Sequence, residues 1–208
     1  MSARVQRMRD PDVRPRLREW ITQQPEGENA VLREEFGLCN GESRADMAVL
    51  TPRLTGFEIK SPGDRLDRLA RQVGYYDQVF EHSWLVTTDH YLHQASALAS
   101  PWWGVLLLES ADGQPSLRVV RAARPNPARE PLALARLLWR EEVLAELAAL
   151  GQHTGTSRLP RHRLWQLLAD ALPVARLAQR VQHALAARPP ATVPPAPPSG
   201  SDAAYAQP

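Results

Sequence analysis

The 208-residue sequence holds one cysteine, Cys39, and one lysine, Lys60. A single thiol excludes an internal disulfide framework and a cysteine-based zinc cage. Long apolar runs are missing too. The longest, residues 102–108, is far short of the roughly 20 residues that span a bilayer, so neither a membrane helix nor a membrane partner is expected. The opening stretch MSARVQRMRD has no apolar centre, so no secretory leader is expected. Net charge is only +2, so the total gives no sign of a polyanion binder driven by overall field. Hydrophobic residues make up 43%, enough to bury a core. These features together predict a cytoplasmic globular protein.

Among the 25 basic residues, 24 are arginine. On most solvated surfaces the two basic types are interchangeable, so the single lysine stands out. A compact ammonium serves some chemistry that a planar guanidinium does not.

The chain divides by composition. Residues 1–10 read as a ragged terminus, and 12–23 as a helix with Val13, Leu17, Trp20 and Ile21 on one face. Strand-like pieces follow at 30–36, 44–51 and 56–61, with turns at Asn40-Gly41 and Thr51-Pro52. Residues 64–80 read as a helix capped by Asp64, 83–88 as a strand and 91–99 as a helix. Residues 102–109 and 117–120 read as strands around the turn Asp112-Gly113. This order predicts an α/β fold with a mixed central sheet over residues 1–124. Arg124-Pro125-Asn126-Pro127 reads as a linker. Beyond it, to residue 188, come helices at 132–150, 161–171 and 174–188, a small helical appendage. The Pro- and Ala-rich residues 189–208 are expected to be disordered.

Alternation in the strand 56–61 puts Phe57 and Ile59 on one face and Glu58 and Lys60 on the other. A hairpin turning near Pro52 and Arg53 would set Asp46 opposite Lys60, with Glu58 its diagonal neighbour. Two carboxylates so placed can share a hard divalent cation, and a neighbouring ammonium can reach a metal-bound water or a phosphate. The competing reading is a salt-bridged set on a solvated sheet face. On the next helix, Gln72 and Tyr76 are four apart on one flank, and Arg65 and Arg68 lie on the same side.

Asp46, Glu58-Ile59-Lys60 and Gln72-Val73-Gly74-Tyr75-Tyr76 together resemble the PD-(D/E)XK phosphodiesterase superfamily, over roughly residues 12–109. The resemblance implies a restriction-endonuclease-like αβββαβ core and a Mg²⁺- or Mn²⁺-dependent nuclease hydrolysing DNA, with a homodimer where both strands are cut. It implies that Asp46 and Glu58 bind metal and that Lys60 polarises the attacking water. Gln72 and Tyr76 match the superfamily's Q-x3-Y element, and the flank they share with Arg65 and Arg68 is expected to contact the nucleic acid. Glu35 would complete the metal site, with Glu34 and Glu19 as rivals. A catalytically silent nucleic-acid-binding or adaptor protein on the same fold is the alternative.

Other features carry less. His90 and His93 are three apart but lack a third ligand nearby, which favours surface histidines. Trp102 and Trp103 read as packing residues. Residues 126–208 hold nine arginines against six acids, with Arg158, Arg161, His162 and Arg163 close together in the appendage.

Overall fold

The computed structural model describes residues 10–25, 27, 30–111, 114–152 and 154–189. The chain runs α1 (Asp10–Thr22), β1 (Leu32–Leu38), β2 (Ser43–Val49), β3 (Thr55–Lys60), α2 (Leu69–Val79), β4 (His82–Thr88), α3 (Leu92–Leu98), β5 (Gly104–Ala111) and β6 (Gln114–Arg121). Four helices follow: α4 (Pro131–Ala135), α5 (Arg140–Ala149), α6 (Arg161–Ala171) and α7 (Val174–Ala187). The expected α/β class and mixed sheet are present. Six strands lie side by side in chain order; β3–β4 and β4–β5 are parallel and the other neighbours antiparallel.

Strand alternation builds a core on each face. Met47, Val49, Phe57, Ile59, Val86 and Leu106 point to one side, where α1 covers them with Val13, Leu17 and Ile21. That is the helical stripe read from the sequence. The opposite face carries Ala48, Leu50 and Leu85. It packs under α2 through Leu69, Val73 and Tyr76, and the same apolar cluster continues into Leu134, Leu164, Leu177 and Val181 of the C-terminal helices. Segment 124–127, expected as a linker, is pinned: the buried Asn126 side chain donates to the carbonyls of Asp77 (2.7 Å) and Phe80 (2.8 Å).

Two expected helices differ in their limits. Asp64 caps nothing; its carboxylate accepts from the Ser61 amide and hydroxyl, both at 2.7 Å, and closes a turn. A short 3₁₀ turn then leads into α2. The helix expected at 132–150 is broken. Ala133, Leu134, Ala135, Leu137 and Leu138 are all buried, more than one helical stripe can place inside. The chain leaves the helix after Ala135 and restarts at Arg140, where the Glu142 carboxylate accepts from the Trp139 amide at 2.7 Å. The ragged start at 1–9, the turn Asp112-Gly113 and the tail from 190 onward lie outside the described residues.

Gly104 opens β5 because of its neighbour. A Cβ there would lie 2.2 Å from Cε3 of Trp84, whose ring is packed edge-on against Trp20 at 5.2 Å between centroids. Gly104→Ala is therefore expected to lower stability by about 1–3 kcal/mol, the usual cost of overpacking. A urea unfolding midpoint measures it.

Candidate functional site

The β2–β3 ladder pairs Met47 with Phe57, Ala48 with Gly56 and Val49 with Thr55. The hairpin thus pivots on Pro52, one residue earlier than an Asp46–Lys60 pairing requires. Continued by one step, this register sets Asp46 against Glu58. The ladder stops at Met47, and the Asp46 side chain takes over: its Oδ2 accepts the Ile59 amide at 2.7 Å, where a strand carbonyl would otherwise sit.

Glu58 and Lys60 share the face of β3 that lies under α2, as alternation predicts. Lys60 Nζ donates to Glu58 Oε1 at 2.7 Å and to Gln72 Oε1 at 3.0 Å. The Tyr76 hydroxyl donates toward Glu58 Oε2, 2.7 Å away, and lies 3.1 Å from the Phe57 carbonyl. Both Glu58 oxygens are therefore engaged, and the residue is 1% exposed. Burial pushes the Glu58 carboxyl above its ordinary value. The Lys60 charge and the hydrogen bonds from Lys60, Tyr76 and Gln72 pull it partly back. The Tyr76 phenol is driven well up by its own burial, then by the charges of Glu58 and Asp46. Gln72 and Tyr76 thus gather around Glu58 and Lys60. Tyr76 is fully buried, a core position rather than one that meets a nucleic-acid backbone.

The early acidic residues go elsewhere. Glu35 has φ of 50°, which interrupts the β1–β2 pairing between Glu34 and Phe36. This kink defeats simple alternation, and both acids reach the arginines of α1. Glu35 bridges Arg14 and Arg44, while Glu34 pairs with Arg18 at 2.7 Å and lies 3.6 Å from Arg14. Glu19 pairs with Arg16 on the surface. Arg14, which the sequence reading did not single out, is the organising residue here. It donates to the Asp46 carbonyl at 2.8 Å and comes within 3.8 Å of Asp46 Oδ1, holding Glu35 and Asp46 on either side of one guanidinium. Its signal in the sequence was the spacing Arg14, Arg18 on the polar face of α1.

These carboxylates, as arranged, do not fit a divalent cation. Glu58 has both oxygens hydrogen-bonded, Asp46 has one oxygen on a backbone amide and the other facing an arginine, and Glu35 is held by two arginines. Among the described residues no group of three or more His, Cys, Asp or Glu side chains is placed to hold a metal ion. Arg65 and Arg68 stand in solvent just before α2; Arg65 is 85% exposed at its side chain, its guanidinium 3.2 Å from Asp67.

Trp102 and Trp103 pack, as expected, and share a partner not foreseen. Both indole N–H groups donate to Oδ1 of Asp77 on α2, at 3.0 and 2.7 Å, and the Ser100 hydroxyl donates to Oδ2. His90 and His93 are exposed, and Cys39 is buried, its thiol pushed up by that burial.

Against known proteins, the model of a family described as bacteriophage P4 protein cII matches residues 3–191, nearly the whole chain. The chain belongs to the bacteriophage P4 protein cII family. Protein cII of Enterobacteria phage P4 is 27% identical over 117 residues, which is 56% of this chain and 44% of that protein. The chain thus matches less than half the length of this curated relative. No solved structure matches. This finding overturns the expected membership in the PD-(D/E)XK superfamily, and with it the metal-dependent DNA nuclease and its associated description as an endonuclease. The physical reason is visible in the cluster. Glu58 and Lys60, two apart on one face of β3, neutralise each other under α2, so Glu-x-Lys on a strand specifies a paired core as readily as a reaction centre.

Among the described residues no helix is long and apolar enough to cross a membrane.

Proposed function

We propose that this chain is a nucleic-acid-binding adaptor, with DNA as its partner and no hydrolytic step of its own. The observation that carries this is the division of the basic groups. The single lysine is spent inside on Glu58 and Gln72, while Arg65 and Arg68 stand in solvent close by in the chain. A guanidinium is always charged and its fork matches phosphate oxygens, so exposed arginines suit backbone contacts. The order α1-β1-β2-β3-α2-β4 further supports reading the sheet as a restriction-endonuclease-like αβββαβ arrangement, used here to position a binding surface.

The test is fluorescence anisotropy with a labelled DNA duplex at low salt. The parent should bind, and the DNA should be recovered intact. The double variant Arg65→Ala, Arg68→Ala should bind several-fold more weakly and reduce the salt slope by about 2, one phosphate contact for each arginine removed. A parent that binds neither this duplex nor a single strand, or that cuts the duplex, overturns the proposal.

A further inference from the structure

A groove of about 580 Å³ opens where the edge strand β1 meets the C-terminal helices. Its size is that of a small-ligand pocket. Arg33, Arg136, Arg161 and Arg188 line it together with the indoles of Trp139 and Trp165, over a floor that includes Leu137 and Leu185. Neither chemistry belongs to the Glu58–Lys60 cluster.

The two indoles have different jobs. Trp165 is buried, donates its N–H to the Leu138 carbonyl at 3.1 Å, and forms a wall beneath the Arg161 guanidinium, 4.7 Å from its ring centre. Trp139 is 58% exposed, the most exposed of the large apolar residues described. The Arg188 guanidinium lies 4.2 Å from the centre of its ring, fixed there by hydrogen bonds to both carboxylate oxygens of Glu142 and to the Leu137 carbonyl. A tryptophan in solvent is thus braced by a clamped cation, which fixes the plane of its ring.

The charges are also sorted. The groove's acids, Glu34 and Glu35, are neutralised by Arg18, Arg14 and Arg44. Arg188 is neutralised by Glu142. Arg136 and Arg161 are exposed and make no ion pair among the described residues.

We infer that this groove binds single-stranded nucleic acid, with a base stacked on Trp139 and its phosphates at Arg136 and Arg161. This rests on the nucleic-acid-binding reading above and names the form of the ligand. A flat exposed indole beside uncompensated guanidiniums presents what a nucleotide unit offers in return, a π face and an anion. An acidic peptide supplies the anion and no face for the ring. An apolar helix would strip water from Arg136 and Arg161 and give nothing back. A duplex keeps its bases stacked and paired, so it can reach the arginines and leaves Trp139 bare.

The experiment measures anisotropy of a labelled oligothymidine and of a labelled duplex, with the full chain and with Trp139→Ala, Trp139→Phe, and Arg136→Ala with Arg161→Ala. Circular dichroism confirms that each variant folds; Trp139 is exposed enough that folding should survive. The single strand should bind the parent more tightly than the duplex does. Trp139→Ala should weaken single-strand binding about tenfold, and Trp139→Phe should restore most of it. The double arginine variant should lower the salt slope for the single strand by about 1.4. Unchanged single-strand affinity in folded Trp139→Ala overturns this inference and leaves the broader reading standing where Arg65 and Arg68 still matter. Absence of binding to either probe by the parent overturns both.

Discussion

Lys60→Met is expected to cost about 3–5 kcal/mol of stability near neutral pH, which in a chain of this size lowers Tm by roughly 6–20 °C. The pair it breaks is almost wholly enclosed, with side-chain exposures of 9% for Lys60 and 1% for Glu58. In such surroundings a pair gains little over a well-packed apolar substitute, yet removing one member strands the other's charge away from water. Glu58 can escape by taking up a proton, which makes the cost depend on pH. Its carboxyl already titrates above the ordinary 4.5 because of burial, so the folded state holds this proton more tightly than the unfolded chain. The associated stability is fully present below 4.5 and is lost as pH rises through the folded value. Removing Lys60 deletes the two strongest influences that lower that value, so it climbs further and the loss extends to higher pH. The variant should therefore approach the parent at pH 5 and fall well below it at pH 8. Glu58→Gln combined with Lys60→Met removes both charges and should recover much of the deficit, flattening the pH dependence. Urea unfolding of the parent, Lys60→Met, Glu58→Gln and the double variant at both pH values forms a double-mutant cycle. An equal loss at pH 5 and pH 8 would show that the stranded carboxyl is not what destabilises the variant.

That cluster also marks what the amino-acid order could convey and what it could not. Alternation placed Glu58 and Lys60 on one face of β3, and the i, i+4 spacing brought Gln72 and Tyr76 to one flank of α2; the fold unites all four. The helical stripe Val13, Leu17, Ile21 was equally plain, because a period of 3.6 in apolar residues has few other meanings. Depth was not legible. Whether an Asp–Glu–Lys set faces solvent or lies under a helix depends on how closely α2 packs, which is decided by Leu69, Val73 and Tyr76 against β2 and β4 together. Register failed by two residues because it is set by where the 50–54 connection pivots, not by composition. Glu35 was misplaced by a left-handed backbone position that no local pattern announces. The helix read at 132–150 was broken because the consecutive Ala133, Leu134 and Ala135 are buried along with Leu137 and Leu138, more than one face of a continuous helix can place inside. The groove at β1 went unseen for a related reason: Arg33, Arg136, Arg161 and Trp139 are brought together by packing between segments more than 20 residues apart in most pairs, and each alone resembles an ordinary surface residue.

Asp77→Ala is expected to be the second large loss, about 2–4 kcal/mol. Asp77 follows Tyr76 on α2. Its carboxylate is the acceptor for Trp102, Trp103 and Ser100, and so ties α2 to the turn that precedes β5. Trp103 is fully buried and packs on Tyr76 at 5.0 Å between ring centres. Its indole N–H cannot turn to water once the carboxylate is gone, and an unsatisfied buried donor costs more than the hydrogen bond contributed. Trp102 is partly exposed and can recruit solvent, so most of the loss should come from Trp103. Asp77→Asn offers the contrast. The amide oxygen can still accept from the indoles, and the amide nitrogen can donate to Ser100, so only the charge assistance is lost, about 1 kcal/mol. Thermal unfolding should therefore rank the parent above Asp77→Asn, and Asp77→Ala well below both. Equal losses in the two variants would mean that charge, not an acceptor for the buried indole, is what the site requires. Because Tyr76 lies between Trp103 and Glu58, the alanine variant should also loosen the packing that keeps Glu58 dry, and combining it with Lys60→Met should give a smaller total loss than the two separate losses predict.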